Sequence, residues 1–170
     1  MEENNIINFI DGNLLDANVD IICHQVNCQC VMGAGLAKQI KENFPNVYNE
    51  YRNFYIKTED KKSLLGCAQF VEVYNKSYKY VVNLFGQLYC SVKLRQTNYE
   101  ALYTAIETMF ESAFKNLYVG NKITIGIPYK LGCGLAGGNW NIVLSIIQEL
   151  TLKYQNYINV NIFLQHFVVN

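Results

Sequence analysis

Apolar and polar positions along this chain alternate between two rhythms. Short β-branched or aromatic runs bounded by turn residues mark strands, and stretches with apolar residues three and four apart mark helices. Ile6–Ile10 ends in the turn signal Asp11-Gly12-Asn13, and Val19–Cys23 reads as a buried strand. Ala34–Phe44 gathers Leu36, Ala37, Ile40 and Phe44 on one helical face, and Pro45 suits the first turn of a second helix running through Tyr55. Lys57–Lys62 is polar and predicts a loop; Cys67–Val73 and Tyr80–Phe85 predict strands. Thr97-Asn98-Tyr99-Glu100 has the form of a capping box ahead of a helix with Leu102, Ile106, Met109 and Ala113 on one face. Lys122–Ile127 is a strand closed by Pro128. Asn139 is placed to cap a helix carrying Val143, Ile146, Ile147 and Leu150, and Asn159–Leu164 is the last strand.

Strand–helix alternation over the whole length predicts an α/β fold, a three-layer α/β/α sandwich. The short polar link Tyr74–Lys79 makes a hairpin of its two flanking strands, so the central sheet is expected to be mixed. Without repeat, linker or low-complexity segment, residues 1–170 are expected to form a single domain.

Composition narrows the choice of partner. Apolar residues make up 51% of the chain and charged residues 16%, with 14 Lys+Arg balancing 14 Asp+Glu. A protein that neutralises nucleic-acid phosphates needs a basic surplus, so no nucleic-acid groove is expected. The acidic start Met1-Glu2-Glu3 lacks the basic and apolar regions of a signal peptide, and no apolar stretch nears the roughly 18 residues of a membrane span. The expected setting is cytoplasmic, with no membrane partner and six reduced cysteines. Asn75-Lys76-Ser77 matches a glycosylation acceptor but carries no weight in that setting.

Two glycine-rich loops hold the candidate chemistry. Asn27–Leu36 joins the second strand to the first helix, and Pro128–Asn139 joins the fifth strand to the last helix. Glycines bring backbone N–H groups close to a phosphate, and a helix N-terminus adds a favourable dipole. Two such junctions on one sheet can clamp a diphosphate without any surplus of Lys or Arg; the bland alternative is that the glycines only make tight turns. Gly132–Gly137 spells the dinucleotide fingerprint but lies late in the chain, with Leu152-Lys153-Tyr154 where an acidic residue belongs. Cys23, His24, Cys28 and Cys30 crowd together, but Cys23 and His24 are adjacent on a strand and a second ligand pair is missing, so no metal is expected. Cys133 is weighed as a thiolate nucleophile beside a helix N-terminus, against a small buried apolar role. His24 titrates nearest neutrality and is weighed as an acid/base against a structural histidine; His166 reads as surface or packing.

Taken in order, Gly12-Asn13-Leu14-Leu15, His24-Gln25-Val26-Asn27-Cys28 with Val31–Ala37, Asn83–Gln87, and Ile127–Trp140 resemble the macrodomain family across essentially the whole chain. The likeness is to the branch of small ADP-ribose-processing proteins. It implies a ligand of the ADP-ribose type, free or carried by an ADP-ribosylated protein, and no cofactor. It also implies that Asn13 accepts from the adenine amino group and that Asn27 orients the distal ribose. Gly33, Ala34 and Gly35 would line one side of the diphosphate, and Gly132, Cys133, Gly134 and Leu135 the other. Phe85 and Phe163 are the candidates for a ring against adenine.

For catalysis the resemblance gives two branches. Deglutamylating macrodomains use a Lys and an Asp where this chain has Gln87 and Ala136, neither of which can do that work. Yeast-type ADP-ribose 1″-phosphate phosphatases have a His at the position of His24, which would activate water or protonate a leaving oxygen. The expected function is therefore binding and hydrolysis of an ADP-ribose derivative, with a non-catalytic reader as the alternative. Cys30 stands where close relatives carry Gly.

Overall fold

The structure is a computed structural model and describes residues 6–74 and 77–165. Asn75 and Lys76 of the acceptor motif, and His166, lie outside the described residues. The described residues form strands β1 (Ile7–Asn13), β2 (Ile21–Asn27), β3 (Ala68–Glu72), β4 (Tyr80–Gln87), β5 (Ile123–Pro128) and β6 (Ile158–Gln165). The helices are α1 (Gly35–Asn43), α2 (Pro45–Lys57), α3 (Tyr99–Leu117) and α4 (Trp140–Lys153). One mixed sheet results, ordered β1-β6-β5-β2-β4-β3 and parallel except at the β3/β4 hairpin.

The central strands are apolar along most of their length because both faces are covered. Ile21 and Cys23 face the layer of α3 and α4, packing with Leu102, Ile106, Val143 and Ile147. Ile22 faces the opposite layer, with Ile40 of α1 and Val47 of α2. β1 lies at an edge and is correspondingly half exposed. No helix among the described residues is long and apolar enough to cross a membrane.

The topology places the site. From β2 the chain crosses by α1 and α2 to β3 and β4; from β5 it crosses by α4 to β6 on the other side. The gap between β2 and β5 is thus the point where the connections diverge, and ligands settle outside the carboxyl ends of strands there. The β2/β5 ladder consists of Ile21↔Ile125 and Ile22↔Gly126, while β2 stays paired with β4 as far as Asn27.

Two elements differ from the sequence reading. The second strand continues through His24, Gln25, Val26 and Asn27, because cross-strand amides partner these polar residues and no loop is needed to hydrate them. The cap of α3 is Asn98, whose Oδ1 accepts from Ala101 N at 2.9 Å. Thr97 is buried, and its hydroxyl bonds elsewhere.

Candidate functional site

A cavity of about 510 Å³ opens at the carboxyl ends of β2 and β5. That is ample for a nucleotide-sized ligand. Its first wall is the loop after β2, which Asn27 folds. Asn27 Oδ1 accepts from Gln29 N at 3.0 Å and Val31 N at 3.2 Å, and its Nδ2 donates to Val31 O at 2.8 Å. The buried Tyr51 hydroxyl lies 2.9 Å from Oδ1 and 2.6 Å from the Asn27 carbonyl oxygen. One Nδ2 hydrogen remains for a ligand. Cys30 takes the left-handed φ of 63° that this loop requires, the reason glycine suits the position.

The loop leads into an open helix end. Ala34 is the N-cap of α1 and makes no side-chain cap bond, and Gly35, Leu36 and Ala37 line the cavity. First-turn N–H groups have no partner inside a helix, so α1 presents donors and the positive end of its dipole to the cavity. α4 does not. Asn139 Oδ1 accepts from Asn141 N at 2.9 Å, and residues 139–141 stand off the cavity wall. The expectation of two helix N-termini at the site is corrected to one, since the first residues of α4 stand off the cavity wall.

The second glycine loop forms the facing wall. Gly132 O accepts from Gly138 N at 2.9 Å and from Thr97 Oγ1 at 2.5 Å, closing the loop into a ring. Gly132 has φ +68°, and a Cβ there would stand 2.5 Å from Gln25 Oε1. A third wall, Cys90–Lys93, belongs to the segment between β4 and α3 and ties the other two together. Cys90 N donates to Gln29 Oε1 at 2.7 Å, and Gln96 N donates to Ala136 O at 2.8 Å. Lys93 and Lys130 are the charged residues on the cavity wall; among the described lining residues there is no Asp or Glu. The cavity is therefore locally positive in a neutral chain.

His24 lies in the floor, 1% exposed. Its Nε2 is 2.6 Å from Asn83 Oδ1, and its Nδ1 is buried without a partner. Burial lowers its pKa to about 4, against a smaller raising effect of the Asn83 bond. The sign of the linkage follows. Between pH 4 and 6.5 the unfolded chain binds a proton at this site that the folded chain does not. Stability therefore falls as pH drops through that window, by roughly 3 kcal/mol in full. Urea melts from pH 7 to 4.5 are expected to show a slope that His24→Gln reduces; equal slopes in the two proteins would contradict the assignment.

Beside His24, Gln25 Nε2 donates to Gln87 Oε1 at 2.9 Å and Thr97 Oγ1 at 3.0 Å, while Gln87 Nε2 donates to Tyr89 O at 2.8 Å. Gln25 Oε1 is buried and unpartnered.

Of the residues singled out from the sequence, His24, Asn27, Gly33, Ala34, Gly35, Gly132, Gly134 and Leu135 line one cavity. Gln87 and Ala136 line it too. Asn13 does not. Its Oδ1 accepts from Leu15 N at 3.0 Å and caps the 3-10 turn Leu14–Asp16. Cys133 also stands off the wall; burial pushes its thiol up to about 11 and Sγ donates to Leu131 O, so it is no thiolate. Phe85 and Phe163 are buried core residues outside the cavity. The aromatic side chain on the wall is Tyr129, which packs edge-on to Trp140 at 5.0 Å. Among the described residues no three His, Cys, Asp or Glu side chains group as metal ligands, and Cys23 is buried with its thiol raised by desolvation.

A parallel switch-point cleft walled by glycine loops, with one helix N-terminus opening into it, is the kind of α/β site that suits a phosphate-bearing ligand. Residues 23–147 match the Macro domain family, and the chain belongs to it. It is 28% identical over 149 residues to the ADP-ribose glycohydrolase of Bos taurus, covering 87% of this chain and 86% of that protein. It is 22% identical over 173 residues to the ADP-ribose 1″-phosphate phosphatase of Scheffersomyces stipitis, covering 90% of this chain and 99% of that one. In fold it matches the macrodomain of Mycobacterium tuberculosis DarG with a TM-score of 0.77 at 19% identity, covering 92% of this chain and 96% of the other.

Proposed function

We propose that the chain binds an ADP-ribose derivative in this cleft and hydrolyses it at the distal ribose, with ADP-ribose 1″-phosphate as the substrate the site suits best. The observation that carries this reading is the His24 ring in the floor of a cleft with two lysines and no carboxylate on its wall; its Nδ1 has no protein partner and is buried, so a small shift of the floor on ligand binding has to open it to the attacking water. The relatives named as a phosphatase and a glycohydrolase of ADP-ribose compounds support it. The diphosphate would take backbone N–H groups from the α1 N-terminus and the Gly132–Leu135 loop, and Asn27 would offer its remaining N–H to the distal ribose. Lys93 and Lys130 would offset the charge of the terminal phosphate.

In the step, a water oxygen forms a bond to phosphorus while Nδ1 takes its proton. The bond between phosphorus and the C1″ oxygen breaks, its electron pair going to that oxygen, which is then protonated from solvent. ADP-ribose and inorganic phosphate result. A neutral imidazole of low pKa is a weak base, but the negative charge of the bound ligand raises it toward working pH. Action in the cytoplasm, on the free nucleotide or on an ADP-ribosylated protein, fits six cysteines that are all free thiols.

A second reading, a binder without turnover, is favoured by one observation: Gln87 and Ala136 place neither amine nor acid in the cleft. Incubating the pure protein with ADP-ribose 1″-phosphate separates the two. Phosphate release is expected; tight binding with the ligand recovered intact would overturn hydrolysis in favour of the binder.

A further inference from the structure

One row of side chains crosses three strands. His24 of β2 is the register partner of Asn83 in β4, and Asn83 is the register partner of Gln69 in β3. The row ends at α2, where the backbone carbonyl of Glu50 accepts from Gln69 Nε2 at 2.9 Å. A carbonyl only accepts, so this end fixes the direction of everything before it. With Nε2 turned to Glu50, Gln69 Oε1 faces β4 and accepts from Asn83 Nδ2 at 2.9 Å. Asn83 Oδ1 is thereby turned to His24 Nε2 at 2.6 Å. An oxygen facing that nitrogen requires a hydrogen on it. A neutral imidazole has one N–H, so Nδ1 keeps a bare lone pair.

We propose that Asn83 and Gln69 are positioning residues, which, anchored on the Glu50 carbonyl, hold His24 in the Nε2–H tautomer so that Nδ1 acts only as a base. Its relevance to catalysis rests on the hydrolytic reading above; the tautomer itself does not. Two observations carry it independently, the directed chain of amides and the unpartnered, buried Nδ1 at its far end. Burial, which disfavours the imidazolium, keeps the ring in the neutral form for which the tautomer question has meaning. The consequence is chemical. A ring so held enters the step with no Nδ1 hydrogen and can only accept there; the proton it takes from water makes an imidazolium, which afterwards returns it to solvent.

The test reads the tautomer directly. The chain has two histidines, so in ¹⁵N-labelled His166→Gln protein the imidazole signals belong to His24 alone. Two-bond ¹H–¹⁵N correlation spectra at pH 7 are expected to show a neutral ring protonated at Nε2. Gln69→Leu, on the half-exposed edge strand, frees the Asn83 amide to turn over, and both tautomers are expected in comparable amounts. In turnover, Gln69→Leu lowers kcat in proportion to the tautomer lost and leaves KM unchanged. An Nδ1–H ring or an imidazolium in the His166→Gln protein overturns the proposal, as does a single unchanged tautomer in Gln69→Leu. A pure Nε2–H ring in a protein that releases no phosphate upholds the tautomer and counts against the hydrolytic reading alone.

Discussion

Replacing His24 with glutamine lowers turnover of ADP-ribose 1″-phosphate by about 10²–10⁴-fold, the usual worth of a positioned acid or base, and leaves ADP-ribose affinity within a few-fold. The choice of glutamine matters. Its amide nitrogen reaches the place of Nε2 and keeps a donor for Asn83 Oδ1, so the buried amide row stays satisfied. What it removes is the basic Nδ1. An alanine would open a cavity in a floor that is 1% exposed and confound folding with chemistry. Steady-state phosphate release and calorimetric titration with ADP-ribose measure the two quantities. If turnover and affinity fall together, His24 is a structural residue and the hydrolytic reading loses its base.

The second large effect is expected at Gly138. A Cβ there would stand 2.6 Å from Gly132 O, a backbone atom that cannot swing aside, and 3.4 Å from Thr97 Cβ. Gly132 O already accepts from Gly138 N and from Thr97 Oγ1, so pushing it away breaks the ring that holds the second loop. Gly138→Ala is expected to cost about 1–3 kcal/mol of stability, as overpacking does elsewhere, and to weaken ADP-ribose binding at least about tenfold. Gly134→Ala is the control, since nothing lies within 4 Å of its added Cβ. Thermal melts of the two variants should diverge, with Gly134→Ala unchanged. Equal melting temperatures would mean that the loop has room that its contacts do not indicate.

The architecture was legible because both rhythms are strong where the sheet is covered twice. Val19–Cys23, Lys122–Ile127 and the stripe Leu102, Ile106, Met109, Ala113 all stand in the core or lead into it. Reading failed where polar residues find partners across strands. His24, Gln25 and Asn27 look like the start of a loop until Asn83, Gln87 and Tyr51 are set beside them, and pairing across 24 to 62 residues has no local signature. Thr97 looked like a cap for the same reason, its hydroxyl being bound between Gln25 and Gly132.

The glycine loops announced two walls of the cleft through their composition. The third wall, Cys90–Lys93, did not, although a stretch between β4 and α3 without either rhythm was a signal worth following. The aromatic candidates failed on burial. Phe85 packs with Tyr51 and Phe54 under the first loop, and Phe163 lies in the core on the α1 and α2 face. The Asn139 cap was legible, but the position of α4 off the cavity wall was not, because it depends on how the second loop folds back on itself.

Gln87 is held at both ends, accepting from Gln25 Nε2 and donating to Tyr89 O. An ammonium at that place would meet the Gln25 amide donor to donor, and Ala136 would give it no acid to work with. Gln87→Lys or Ala136→Asp alone therefore supplies one half of an amine–acid pair, and the lysine also breaks a bond already made, so the cleft admits that chemistry only through paired changes.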